Sequence, residues 1–131
     1  EKKKLNLDDV KLLQKLKTGE LFRFSCISAS VLAKDTKENF LKLEKYAFNL
    51  GLAFQIQDDI LDVTGDENKL GKKINKDSSK GKQTFISVLG IDEAKKKANS
   101  LIDEAVNIVN SFGEDSEILV KLTRLIINRT Y

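Results

Sequence analysis

The feature that most constrains the fold is one long amphipathic segment, residues 36–64, in a 131-residue chain without proline. Its apolar residues recur every three or four positions, which is the spacing of one face of an α-helix. Proline would kink or end such a helix, so its absence lets the pattern continue. Asp35 is the predicted N-cap, Glu38 completes a capping box, and Gly65 follows the last turn. The segment predicts one helix of about eight turns and an all-α fold.

Shorter helical patterns flank the long one, and together they predict a single helical domain over residues 1–131. Gly19 predicts a break between the first two helices. Gly51 lies inside the long helix, where glycine costs roughly 1 kcal/mol relative to alanine, so we expect a close backbone contact there. The other helices are predicted over residues 5–17, 20–33, 84–89, 92–110 and 115–128. The last of them is expected to bury Ile118, Leu119, Leu122, Leu125 and Ile126.

Residues 54–62, FQIQDDILD, place polar side chains in an otherwise apolar part of the long helix. At about 100° per residue, Asp58 and Asp62 lie one turn apart on one face, Gln55 lies one turn earlier, and Asp59 flanks them. Carboxylates this close repel one another unless a cation joins them. Mg²⁺ prefers such oxygen ligands. A solvated acidic face is the alternative, but the apolar neighbours and the lysine-rich segment that follows favour a metal site.

The segment from Gly65 to Gln83 concentrates positive charge. Residues 65–82 contain six lysines and three acidic residues, so their surplus equals the +3 net charge of the whole chain. A solvated surface loop is one interpretation. Lysine ammonium groups also act as point charges for phosphate. Beside an acidic helix end that holds Mg²⁺, the lysines predict a clamp for a diphosphate.

Several residue types are absent or rare, and this excludes some kinds of chemistry. Without histidine there is no Ser-His-Asp or Cys-His arrangement and no imidazole metal site. Cys26 is the only cysteine and lies in an apolar pattern, so we expect packing, no disulfide framework and a cytoplasmic setting. The net charge is too small to indicate nucleic acid, and no apolar run has the length of a membrane span.

With these residues placed, the chain resembles the C-terminal part of a trans-prenyl diphosphate synthase of the farnesyl or geranylgeranyl type. The resemblance begins at Lys17-Thr18-Gly19 and continues through GLAFQIQDDILDVTG, residues 51–65. It extends to Leu70-Gly71-Lys72 and to Gly81-Lys82-Gln83-Thr84. It implies an all-α helical bundle of the isoprenoid synthase type and a homodimer in the full-length protein.

The resemblance also implies a mechanism. Mg²⁺ binds the diphosphate of an allylic substrate and assists its departure, and isopentenyl diphosphate attacks the allylic cation that remains. Asp58 is the implied principal metal ligand, with Asp59 and Asp62 assisting directly or through water. Lys17 and Lys72 would contact the allylic diphosphate. Oxygen atoms of Thr18 and Gln55 would face the cationic segment, Phe54 would border the isopentenyl site, and the supporting residues would be Lys76, Asp77 and Lys82.

The sequence departs from the family pattern at some points. Asn75 stands where glycine is usual, Phe85-Ile86 replaces Tyr-Pro, and the first aspartate-rich motif does not occur. We therefore interpret the chain as a C-terminal fragment that is inactive alone and exposes some apolar faces. The alternatives are a non-catalytic helical partner subunit with a vestigial diphosphate site, or a general helical interaction module. An upstream coding region with a second aspartate-rich motif would exclude the partner subunit. Product length and the fragment's oligomeric state stay open.

Overall fold

A computed structural model describes residues 6–64 and 84–128, and within these ranges the chain forms helices and no strand. The α-helices are α1 (Leu7–Gln14), α2 (Glu20–Leu32), α3 (Lys37–Thr64), α4 (Phe85–Leu89), α5 (Ile91–Asn110) and α6 (Glu117–Ile127). Two shorter turns are a π-helical turn, Lys15–Gly19, between α1 and α2, and a 3₁₀ turn, Glu114–Ser116, before α6. The predicted all-α fold class is confirmed.

Helix α3 is the centre of the fold. It packs mainly against α5, and α2 packs on it as well. Ile56 is fully buried and Ile60 is almost so, and both belong to the core. Ala98 and Ala105 of α5 are buried in the same core, and small side chains of this kind allow two helix backbones to approach closely. This packing fixes the axis and the rotation of α3.

The break predicted at Gly19 is wrong, because the π-turn leads directly into α2. Gly19 has φ −58° and ψ −36°, which are ordinary right-handed helical values. The glycine whose missing side chain serves packing is Gly51. A Cβ added to Gly51 would lie 3.2 Å from the Cα of Gly19. The close backbone contact predicted at Gly51 is therefore confirmed, and it joins the π-turn to α3.

The N-cap of α3 is Thr36, one residue later than predicted. The Oγ1 of Thr36 accepts a hydrogen bond from the Asn39 amide at 3.2 Å, and its carbonyl accepts from the Phe40 amide at 3.0 Å. Asp35 lies one residue too early for this geometry, and its carboxylate accepts from the Thr36 amide at 2.7 Å. Glu38 forms an ion pair with Lys42 at 2.8 Å. Two polar residues in succession left the N-cap ambiguous in the sequence.

The burial predicted for the last helix is mostly wrong. In α6, Ile126 is buried, whereas Ile118 is 78% exposed. Leu119, Leu122 and Leu125 are also exposed. The helix turns Thr123, which is fully buried, toward Tyr46 of α3. Most of the apolar stripe of α6 therefore lies to one side of this contact and stays exposed within the part of the chain that the structure describes.

The π-turn and α2 also expose large apolar side chains, which agrees with the expectation that some apolar faces are uncovered. Leu16 is 64% exposed, Phe24 is 70% exposed and Leu32 is 84% exposed. Where such side chains form one continuous patch, the patch marks an interaction surface. Cys26 of α2, in contrast, is partly buried and packs against the core, and burial raises the pKa of its thiol. This supports the prediction that Cys26 serves packing.

Replacing Gly51 with alanine is expected to destabilise the protein by about 1 kcal/mol. The new methyl group would meet the backbone of Gly19, and overpacking costs about 1–3 kcal/mol. The better helix propensity of alanine offsets about 1 kcal/mol of this cost. Gly19→Ala is the matched control, since its added Cβ meets only ordinary contacts, the nearest at 3.6 Å. Urea unfolding would show a lower midpoint for Gly51→Ala alone, and equal midpoints would contradict the contact.

Tyr46 should make the stability of the protein depend on alkaline pH. Its hydroxyl lies 2.9 Å from Oγ1 of Thr123, which itself donates to the Leu119 carbonyl at 2.6 Å, so Tyr46 is the donor. Burial raises the pKa of Tyr46. Above about pH 10 the unfolded state releases the Tyr46 proton, whereas the folded state keeps it. The free energy of unfolding is therefore at its full value below that pH and falls as the pH rises further.

The variant that tests this is Tyr46→Phe. Below pH 9 it should be less stable than the wild type by about 1 kcal/mol, the net value of one hydrogen bond. Above about pH 10 the difference in unfolding free energy should shrink, because only the wild type has a Tyr46 hydroxyl whose proton is released on unfolding. Urea unfolding of both proteins at pH 8 and pH 10.5 measures it. A difference that stays constant would contradict the proposed proton linkage.

Candidate functional site

The polar stripe of the acidic segment lies on an ordered helix near its C-terminal end. Helix α3 continues to Thr64, so Gln55, Asp58 and Asp62 follow one another along one side over successive turns. Gln55 and Asp62 are buried, whereas Asp58 is partly exposed. Ile56 and Ile60 of the same helix lie in the core. The stripe is therefore held on a rigid element, with Asp58 as its accessible carboxylate.

The carboxylate of Asp59 contacts the beginning of helix α4. Its Oδ2 accepts a hydrogen bond from the backbone amide of Phe85 at 2.9 Å, and this bond is buried. Asp59 itself is 5% exposed. The bond joins the acidic end of α3 to the first residue of α4, so this carboxylate has a structural contact within the protein.

Lys17 and Thr18 lie in the π-turn between α1 and α2. Lys17 is exposed and Thr18 is partly buried. The contact of Gly19 with Gly51 holds this turn against α3 at a position one helical turn before Gln55. The turn that carries Lys17 and Thr18 therefore packs on α3 near the beginning of the polar stripe. A π-turn inside an α-helix is frequently found at a functional site.

Phe54 contacts Phe22 of α2, with ring centroids 5.5 Å apart and planes inclined by 52°. Such tilted pairs stabilise by about 0.5–1.5 kcal/mol beyond the area they bury. Both side chains are partly buried. The pair fixes α2 against α3 at the level of the polar stripe.

The donor set fits Mg²⁺. Asp58 and Asp62 are hard oxygen donors one turn apart, and Mg²⁺ is usually bound by one or two carboxylates together with substrate phosphates and water. Over residues 6–64 and 84–128, no three histidine, cysteine, aspartate or glutamate side chains gather at one metal-sized position. Lys72, Lys76, Asp77 and Lys82 lie outside the residues that the structure describes.

A groove of about 430 Å³ lies between the π-turn and α3. Gln14 lines it and is 7% exposed, and its Oε1 has no hydrogen-bond partner among residues 6–64 and 84–128. The Arg23–Glu44 ion pair, at 2.8 Å, contributes to the same groove. Sequence reasoning missed Gln14, because a glutamine between lysines and leucines gives no signal of burial.

Comparison with known proteins shows the family of this chain. Residues 1–123 match the family model for Polyprenyl synthetase. This chain belongs to the polyprenyl synthetase family. Among its relatives, the farnesyl diphosphate synthase of Escherichia coli (strain K12) is 41% identical over 133 residues, which cover 98% of this chain and 44% of the relative. The chain thus spans less than half the length of this polyprenyl synthetase relative.

Solved structures agree with the polyprenyl synthetase assignment. An FPP/GFPP synthase from Zymomonas mobilis matches 96% of this chain at a TM-score of 0.81 and 33% identity, over 40% of its own length. A heptaprenyl diphosphate synthase from Staphylococcus aureus matches 98% at a TM-score of 0.91 and 22% identity, over 52% of its length, which shows the shared fold. None of the helices within residues 6–64 and 84–128 is both long and apolar enough to cross a membrane.

Proposed function

We propose that the protein to which this chain belongs is a trans-prenyltransferase. It condenses an allylic diphosphate with isopentenyl diphosphate and makes farnesyl or geranylgeranyl diphosphate. The observation that carries the proposal is the stripe of Gln55, Asp58 and Asp62 along one side of α3, in a chain of the polyprenyl synthetase family. The Lys17-Thr18 turn beside this stripe supports it.

Each side chain has a role that suits its position. Asp58, which is accessible, and Asp62 hold Mg²⁺, and Asp59 belongs to the same acidic motif. Mg²⁺, when bound, supplies positive charge that stabilises the departing diphosphate. Lys17 binds the allylic diphosphate through its exposed ammonium group. Oxygen atoms of Thr18 and Gln55 are oriented toward the substrate carbon that becomes cationic, and preorganised dipoles of this kind stabilise developing charge.

The remaining assignments are part of the same proposal. Phe54, held by Phe22, borders the isopentenyl site. Lys72, Lys76 and Lys82 contribute further positive charge for the diphosphate groups. The full-length protein acts as a homodimer in the cytoplasm, and the 131-residue chain alone is inactive because the other aspartate-rich motif is not in its sequence.

Calorimetric titration tests the proposal with the 131-residue chain as it exists. The probe is a non-hydrolysable allylic diphosphate analogue, added with Mg²⁺ or with EDTA. We expect binding that requires Mg²⁺, and no elongation of an allylic diphosphate in an assay with labelled isopentenyl diphosphate. Equal affinity in Mg²⁺ and EDTA would indicate a plain anion site and contradict the metal assignment. Detectable elongation would contradict the prediction that this chain alone is inactive.

A further inference from the structure

We infer that Asp59 is a positioning residue that holds the beginning of α4 against α3 and leaves metal binding to Asp58 and Asp62. The inference rests on the proposed function, since it assigns metal binding and helix positioning to different aspartates of one acidic motif. Its structural part, the connection between α3 and α4, can be measured without any ligand.

The first observation is the hydrogen bond between Asp59 and Phe85. The Asp59 Oδ2 accepts from the Phe85 amide at 2.9 Å, and the two residues are 5% and 1% exposed. Hydrogen bonds to a charged acceptor are stronger than those between neutral groups, and burial removes competition from water. The two residues are 26 positions apart in the chain, so this bond fixes one helix on another.

The second observation is that α4 needs this acceptor. The first amides of a helix have no partner within it. In α4, the Oγ1 of Thr84 accepts from the Ser87 amide at 3.3 Å, and the Oγ of Ser87 accepts from the Thr84 amide at 2.9 Å. This capping box does not reach the amide of Phe85, which would be costly to leave buried without a partner. Asp59 supplies the missing acceptor.

The third observation is the direction in which the two adjacent carboxylates point. Successive residues of an α-helix diverge by about 100°, so Asp58 and Asp59 cannot face the same way. Asp59 faces α4, as its hydrogen bond to Phe85 shows. Asp58 is the more exposed of the two. The adjacent aspartates of the motif are thus separated into one accessible carboxylate and one that connects two helices.

Two substitutions at Asp59 separate positioning from metal binding. Asp59→Asn keeps a side-chain oxygen that can accept from Phe85 but loses the charge, whereas Asp59→Ala loses both. We expect Asp59→Ala to accelerate hydrogen exchange of the Phe85 amide by about tenfold or more, and Asp59→Asn to change it by no more than about threefold. Asp59→Asn should also keep the Mg²⁺-dependent affinity for the diphosphate analogue within about threefold, unlike Asp58→Asn.

Each other outcome has a definite meaning. Unchanged exchange at Phe85 in Asp59→Ala would overturn the positioning role. Loss of Mg²⁺-dependent binding in Asp59→Asn, with normal exchange at Phe85, would show that Asp59 is a metal ligand and would also overturn the inference. If Asp59→Ala fails to fold, the exchange and binding of Asp59→Asn decide. If the wild type shows no Mg²⁺-dependent binding, the assignment of a metal site to this chain alone fails, and the exchange comparison by itself decides the role of Asp59.

Discussion

Replacing Asp58 with asparagine is expected to weaken Mg²⁺-dependent binding of the diphosphate analogue by about 100-fold or more. The substitution keeps the size of the side chain and removes the charge that attracts a hard cation. Loss of a residue that merely orients a metal ligand already costs about 10- to 100-fold in metal affinity, so loss of a ligand should cost at least as much. Any weak binding that remains in EDTA should be the same in both proteins, because the substitution leaves the lysines unchanged.

The measurement is a calorimetric titration of the wild type and of Asp58→Asn, each in Mg²⁺ and in EDTA. Asp103→Asn is the matched control, since Asp103 is exposed on α5 and its removal changes the net charge by the same amount. This control should bind like the wild type. An equal loss in both variants would mean that overall charge determines binding, and it would contradict a specific role for Asp58.

Much of the fold could be predicted because its signals are local. The periodicity over residues 36–64 reflects the face that α3 turns toward α5, and the structure contains that helix over Lys37–Thr64. The stripe of Gln55, Asp58 and Asp62 follows directly from helical geometry. The close contact at Gly51 was also predictable, because a glycine that weakens a helix usually has a packing reason.

The parts that could not be predicted depend on contacts between distant residues. The bond from Phe85 to Asp59 spans 26 positions, and nothing around either residue indicates the other. The π-turn at Lys15–Gly19 was taken for a break, because one glycine is compatible with both. The exposure of Ile118 and Leu122 was missed because periodicity shows that a face is apolar and does not show whether another element covers it.

Of the substitutions proposed, Phe85→Ala should lower the free energy of unfolding the most, by about 3–5 kcal/mol. Phe85 is 1% exposed and is one of the largest side chains that are fully buried within residues 6–64 and 84–128. It contributes to the same core as Ile56 of α3. Small domains are stable by only about 5–15 kcal/mol, so the variant should unfold at a much lower urea concentration.

Phe24→Ala is the matched control, because it removes the same atoms from a side chain that is 70% exposed. Its unfolding free energy should stay within about 0.5 kcal/mol of the wild type. Urea unfolding followed by circular dichroism compares the two variants. If Phe24→Ala costs as much as Phe85→Ala, the outer face of α2 is covered in solution, by another copy or by another polypeptide. If only Phe85→Ala unfolds early, the stability of the fold depends on the core that Phe85 shares with Ile56 of α3, next to the acidic motif.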